Sequence, residues 1–370
     1  GTSIIRGNRT KAGEVCKMLI ELSGSGDQQN TIQAASYLQD IGDWHDKNVT
    51  GAMIIQGRMI REIRLGSKTE AIVISITSLT LSNVVSLRSL ILSNITTLSG
   101  TLNLLACTHL KEIYAGGTSL TQLVLPKGGG LEVIEYSAFN QYISLQNYPL
   151  IKNSGVLMDY CKENVTDFLV ENCPLLAPIS LLSAIIESQL LQGDNHALKH
   201  VRVVGFTETY DAGDTLTFLA NLAGGAYSGL DSSGLAGSEE YPVLEGKITV
   251  NSYYYREDVE ALRNTFTKLN LIVTGPPCVK IADPEVKKVL VAHFDKNKNG
   301  EIDESEAENA NVSRIFSGNA EIETFEEFKY FTASTNIANG AFYNCSKLRR
   351  ISLPPSWTHI SYIEYEGTSL

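Results

Sequence analysis

Ile76–Asn94 reads ITSLTLSNVVSLRSLILSN, and it says nearly the same thing twice. Leu79 and Leu81 are followed by Asn83; Leu90 and Leu92 are followed by Asn94. Apolar residues two apart point to one face of a strand, so each phrase reads as a short strand with a buried side. Working outward, the apolar positions are Leu79/Leu81, Leu90/Leu92, Leu102/Leu104, Ile113, Leu123/Leu125, Ile134 and Ile143/Leu145. Their spacings are 11, 12, 11, 10, 11 and 9.

Eleven residues are too few to close one turn of a stacked repeat. Two steps, about 22, suffice, with one strand on one face and a second extended segment on the other. A single turn cannot bury its apolar stripe, so turns stack and share one core. Asn83, Asn94, Asn147 and Asn172 recur two residues past the second apolar residue. Asn there can bond main-chain groups at the exit from the strand. VTDFLVEN and LKHVRVVGF continue the theme to Phe206. From about Ile72 to Phe206 the pattern resembles the leucine-rich repeat superfamily, departing in places from its regular LxxLxLxxN form. The resemblance implies an α/β repeat wound as a right-handed solenoid.

The ends are read as caps, since terminal turns expose apolar surface. TKAGEVCKMLIEL at 10–22 and the stretch Thr31–Ile41 fit amphipathic helices, so residues 1–70 are expected to form a helical N-terminal cap. Residues 71–275 are the repeat array. ITVN at 248–251, a helix over Asp258–Leu269 and a strand at 271–273 are expected as its last regular turn, closed by Gly275-Pro276-Pro277. AGGAYSGLDSSGLAGSEE at 223–240 reads as an inserted loop.

Composition excludes several classes. The net charge of −11 argues against a nucleic-acid partner. No run of 18 apolar residues exists; the longest stretch, Leu175–Ile186, is interrupted by Pro178, so no membrane span is expected. The six cysteines, Cys16, Cys107, Cys161, Cys173, Cys278 and Cys345, form no CxxC, and most read as small buried residues. Gly1 stands where an initiator Met would, as in a trimmed chain, and a removed signal or upstream domain stays open.

FDKNKNGEIDESEAE, Phe294–Glu308, carries the one recognisable site. Counting from Asp295, Asn297 is position 3, Asn299 position 5, Gly300 position 6, Glu301 position 7, Asp303 position 9 and Glu306 position 12. This is the D-x-[DN]-x-[DN]-G-x₅-E pattern of an EF-hand loop. Calcium takes six to eight oxygens, and alternate side chains of a tight loop supply them; Gly300 permits the reversal and Glu306 closes the shell. Ile302 is expected to face the core, and DPEVKKVLVAHF (283–294) is the entering helix with Pro284 at its first position. Three carboxylates and two neutral amides suggest modest affinity, roughly 10⁻⁵–10⁻³ M. A single loop reads as a structural calcium site, with a hydrated Asx turn as the plainer alternative.

Beyond the loop, Ile337–Pro354 matches I-x-x-x-A-F-x-x-C-x-x-L-x-x-I-x-L-P at Ile337, Ala341, Phe342, Cys345, Leu348, Ile351, Leu353 and Pro354. This resembles the BspA-like leucine-rich repeat. Residues 315–332 also look like part of such proteins, so 276–332 is read as an EF-hand-like segment and 333–370 as a BspA-like terminal repeat. The resemblance implies a bacterial cell-surface, extracellular or phage-tail-associated protein that recognises a protein or glycan.

Enzyme motifs are absent: no GxSxG, no HExxH, no GxGxxG between strand and helix. His196 and His200, Cys107 with His109, and Asp211, Asp214, Glu239 and Glu240 read as surface, repeat and loop residues. Tyr253, Tyr254 and Tyr255 alternate faces, so an exposed member is a candidate binding anchor. The expectation is a non-catalytic binding protein. The alternatives are a structural module of a larger surface or phage-tail-like assembly, and a carbohydrate-active enzyme within 207–245.

Overall fold

A computed structural model describes residues 3–6, 29–33, 39–42, 44–126, 130–136, 142–152, 165–193, 196–211, 213–224, 226, 227, 230, 242–334, 340–357 and 365–370. The chain forms two compact units, residues 1–208 with 218–247 and residues 209–217 with 248–370. The boundaries expected at 70, 275 and 332 fall inside these units.

In the first unit the sequence alternation becomes an alternation between ladders. β1 (Ser3–Arg6), β2 (Gln29–Gln33), β4 (Thr50–Gln56) and β6 (Ser75–Ser82) form one sheet. β3 (Asp40–Ile41), β5 (Glu62–Arg64), β7 (Ser89–Ile91), β9 (Glu112–Ala115) and β11 (Val133–Tyr136) form a second. β8 (Ser99–Asn103) pairs with β10 (Ser119–Val124). From β2 to β11, every second strand returns to the β3–β11 ladder. All of its pairings are parallel, and in it Ser89 faces Glu112 and Glu112 faces Val133. The eleven-residue step is therefore half of a repeat. Ile63, Leu90, Ile113 and Ile134 stack in register as a fully buried stripe. Leu123 and Leu125 are half-buried.

The recurrent Asn residues have a backbone cause. Asn83, Asn94, Asn147 and Asn172 have φ between 52° and 64°, the left-handed region that Asn tolerates better than other residues bearing a Cβ. Their amides link neighbouring repeats: Asn172 Nδ2 donates to Asn147 Oδ1 at 2.8 Å, and Asn94 Nδ2 to the Ser67 carbonyl at 3.0 Å. Gly117 sits directly against Asn94, where a Cβ would collide with Oδ1 and lie 3.2 Å from the Asn94 Cα.

One expectation about helices is corrected. Where it is described, Thr31–Ile41 is strand and not helix: β2 runs to Gln33 and β3 begins at Asp40. Thr31 and Ile32 are β-branched and pair with Ile54 and Ile55, so pairing with the next repeat outweighs the helical spacing. Residues 10–22 lie outside the described residues. Conversely, Leu175–Ile186, read only as an apolar stretch interrupted by Pro178, holds most of helix α1 (Pro178–Leu190). Pro178 occupies its first position, where the missing N–H costs nothing, and Leu181, Leu182, Ile185, Ile186 and Gln189 line the buried face. α1 precedes β14 (His200–Tyr210), which pairs parallel with β13 (Asp167–Glu171), itself paired with β12 (Tyr142–Gln146). α2 spans Asp214–Leu222 and was likewise not foreseen.

The second unit contains α3 (Arg256–Thr265) and β16 (Leu269–Val273), following β15 (Val243–Val250). The strand–helix–strand order matches expectation, although the helix begins and ends earlier. α4 (Pro284–Phe294) and α5 (Glu304–Asn309) flank the acidic loop. β17 (Thr324–Phe325) and β18 (Arg350–Ile351) pair parallel. One apolar cluster joins these parts: Val286, Leu290, Ile302 and Ala307 pack with Phe316, Phe325, Phe328, Phe342 and Leu348. Phe325 lies at its centre, its ring 5.2 to 5.4 Å from those of Phe316, Phe328 and Phe331. The loop helices and the terminal repeat thus share one core.

Candidate functional site

The acidic loop is held from both ends. Asp283 caps α4: its Oδ1 accepts from the N–H groups of Glu285 (2.9 Å) and Val286 (3.2 Å). Its Oδ2 accepts from Glu323 (2.8 Å) and Thr324 (3.1 Å), which ties the helix start to β17. Burial alone would raise the Asp283 pKa, but these four N–H groups together hold it below the usual carboxylate value. At the far end Asp303 and Glu306 form a capping box on α5, Asp303 Oδ1 accepting from Glu306 N at 2.7 Å and Glu306 Oε2 from Asp303 N at 3.1 Å.

Inside the loop the expected residues are brought together as oxygen acceptors. Asp295 accepts from Asn299 N (3.2 Å) and Gly300 N (2.9 Å), Asn297 Oδ1 from Asn299 N (3.0 Å), and Asn299 Oδ1 from Glu301 N (2.8 Å). Glu306 Oε1 reaches back across the loop to Lys296 N at 2.7 Å, and Asn297 Nδ2 donates to Asp303 Oδ2 at 3.1 Å. Gly300 has φ of 81° and makes the reversal. The donors are all oxygen, the set a hard cation prefers. Their acceptors are engaged by the loop's own N–H groups, and among the described residues no three His, Cys, Asp or Glu side chains form a metal-holding cluster.

Glu301 departs from the expected set. Its side chain is only 6% exposed and turns out of the loop, accepting from Lys287 Nζ at 2.5 Å and the Tyr255 hydroxyl at 2.9 Å. Only its main-chain carbonyl remains for the loop interior, which is what position 7 supplies in such loops. Ile302 is fully buried, as expected. Its carbonyl accepts from Val279 N at 2.9 Å, and Cys278 and Asp303 form an antiparallel bridge. Residues 278 and 279 therefore lie along the loop and hold it by main-chain bonds.

The three tyrosines do not form one surface. Tyr253 is exposed, Tyr254 forms a main-chain bridge to Pro277, and Tyr255 is tied to Glu301. Burial, then the bond to Glu301, raises the Tyr255 pKa. The His and Cys candidates also have structural roles. His200 Nδ1 meets Asp167 at 2.7 Å, His109 Nδ1 meets the Val85 carbonyl at 2.9 Å, and burial raises the Cys107 thiol to about 11. Asp211 accepts from Asn251 Nδ2 at 2.8 Å. Glu239 and Glu240 lie outside the described residues.

A feature the sequence reading missed lies on the solvent side of the β5–β7–β9–β11 ladder. Two side-chain rows run across it, Glu62, Ser89, Glu112 and Val133 in one, and Arg64, Ile91, Tyr114 and Glu135 in the other. The signal was present as the residues alternating with the buried stripe. Their chemistry changes from strand to strand, so only the register reveals them as rows.

Residues 309–370 match the family model of the BspA type leucine-rich repeat region (6 copies). That match begins ahead of the motif at Ile337 and takes in β17, the partner of β18. No curated protein and no solved structure matches the chain. Among the described residues no helix is long and apolar enough to cross a membrane. Residues 309–370 thus form a leucine-rich repeat region of the BspA type.

Proposed function

We propose that this chain is a non-catalytic binding protein of the cell surface or extracellular space. Its repeats wind as a right-handed solenoid that presents side chains on a rigid frame to a protein or glycan. The observation that carries the reading is the pair of solvent-side rows over β5, β7, β9 and β11, backed by the buried stripe Ile63, Leu90, Ile113 and Ile134. Side chains fixed by a stacked ladder lose little further freedom on binding, which favours recognition. The test is a glycan array and a panel of purified extracellular proteins probed with the immobilised chain. Absence of binding to every member, with the chain shown to be folded, would count against this reading.

The loop Asp295–Glu306 is proposed as a structural calcium site. Asp295, Asn297, Asn299, Asp303 and Glu306 would hold the ion with the main-chain carbonyl of Glu301. The all-oxygen donors, the left-handed Gly300 and the shared core of α4 and α5 support it. Bound calcium would supply charge neutralisation for three carboxylates and fix the junction between the helices. Isothermal titration with calcium after chelation checks it, and absence of heat at millimolar calcium would sink it.

A further inference from the structure

The ladder face of the first unit holds a concavity of about 570 Å³. Its floor is Glu62, Ser89 and Glu112 of one row and Arg64, Ile91 and Tyr114 of the other. Its wall is the segment 66–70, which is firmly built. Gly66 N donates to the Ile91 carbonyl at 3.1 Å and Ser67 N to the Ser93 carbonyl at 3.1 Å, and Ser67 Oγ accepts from Thr69 N and Glu70 N. A Cβ at Gly66 would collide with the main chain of Leu92 and Ser93, so glycine lets the wall lie flush on the next repeat.

The charges in this groove do not balance. Glu62, Glu70 and Glu112 line it together with Arg64, Lys68 and His45, and Lys68 also answers to the buried Glu135. Glu62 pairs with Arg64, Glu135 with Lys68 and Glu70 with His45. Glu112 is left. Among the described residues it meets no cation, and Ser89 Oγ donates to it at 3.5 Å. Register places it next to Ser89 and Val133, one residue along β9 from Ile113 and two from Tyr114. The ring of Tyr114 already receives one ammonium: Lys68 Nζ stands 4.3 Å from its centroid. That contact shows, with a side chain of this protein, what the floor of the groove accepts.

We propose that this groove receives a basic segment of a partner protein, one Lys or Arg of which pairs with Glu112 beside Tyr114. The proposal rests on the binding-protein reading and names the class of partner. An anionic ligand is disfavoured by the surplus of carboxylates. A basic peptide matches that surplus, and its aliphatic stems fit against Ile91 and the tyrosine ring.

The experiment is fluorescence anisotropy of the full chain with a labelled short peptide alternating arginine and glycine, against a glutamate–glycine counterpart. The arginine peptide is expected to bind, weakening as salt is raised, and the glutamate peptide not to bind. Glu112→Gln should weaken binding about fivefold to tenfold, the scale of one partly desolvated ion pair. Tyr114→Phe should retain binding, since the ring face persists, and Tyr114→Ala should weaken it. Glu321→Gln, an exposed residue of the other unit, should change nothing. Thermal melts of each variant confirm folding. Equal affinity for the two peptides, or no effect of Glu112→Gln in a folded chain, overturns the proposal. A glycan or protein that binds regardless of Glu112 overturns the groove assignment and leaves the binding-protein reading standing.

Discussion

Replacing Asp283 by Asn tests how the second unit is held together. One carboxylate, 7% exposed, accepts four main-chain N–H groups: two from the first turn of α4 and two from Glu323 and Thr324. Asn keeps one oxygen acceptor and turns an NH₂ toward donors it cannot serve. The lost capping bond and helix-end charge are worth about 1 kcal/mol. Leaving the N–H pair at Glu323 and Thr324 without an acceptor adds about 1–3 kcal/mol. The expected total is about 2–4 kcal/mol, which lowers the melting temperature by roughly 3 °C per kcal/mol for a unit of this size.

The effect depends on pH with a definite sign. The folded pKa of Asp283 lies below the ordinary value of 3.8. The wild-type carboxylate therefore stabilises the fold above that value, and the contribution fades as pH falls through the folded pKa. Urea unfolding of wild type and Asp283→Asn at neutral pH and in steps to well below pH 3.8 should show the gap between them narrowing only at the acid end. A gap below about 0.5 kcal/mol at neutral pH, or one that stays constant into acid, would refute the reasoning.

Calcium should raise the melting temperature of the chelator-treated chain, and Asp295→Ala should abolish the gain; identical melts with calcium and chelator would remove the ion from the loop. Gly117→Ala should destabilise by about 1–3 kcal/mol, because its φ of 71° and its seat against Asn94 both exclude a Cβ, and chemical denaturation measures it. Cys107, Cys173, Cys278 and Cys345 are free and buried, with Cys278 raised to about 12 by burial and then by the nearby Glu301, Asp303 and Glu306. All four should resist a thiol reagent at mildly alkaline pH until the chain is denatured, as mass spectrometry of the labelled peptides would show.

Much of the local structure was legible in residue order. The period-two leucines fixed which residues are buried along β6, β7 and β8, since burial on one face of a strand is a local property of alternation. Asp283 with Pro284 marked the start of α4, and the spacing of carboxylates and amides from Asp295 to Glu306 marked the loop, because caps and tight loops depend on near neighbours. Helices were harder. Thr31–Ile41 has helical spacing but supplies strands, and Pro178 begins a helix. In both cases distant partners or the position within the element reverse the local preference.

What the sequence determined by itself is therefore the repeat step, the buried stripe and the polar chemistry of the loop. Tertiary structure alone decided that Glu301 turns away to Lys287 and Tyr255, that the loop leans on Val279, and that Glu112, beside Tyr114, meets no cation among the described residues. Those contacts join residues tens of positions apart. Burial and charge pairing at such places depend on which strand lies next to which, and no single stretch of chain encodes that.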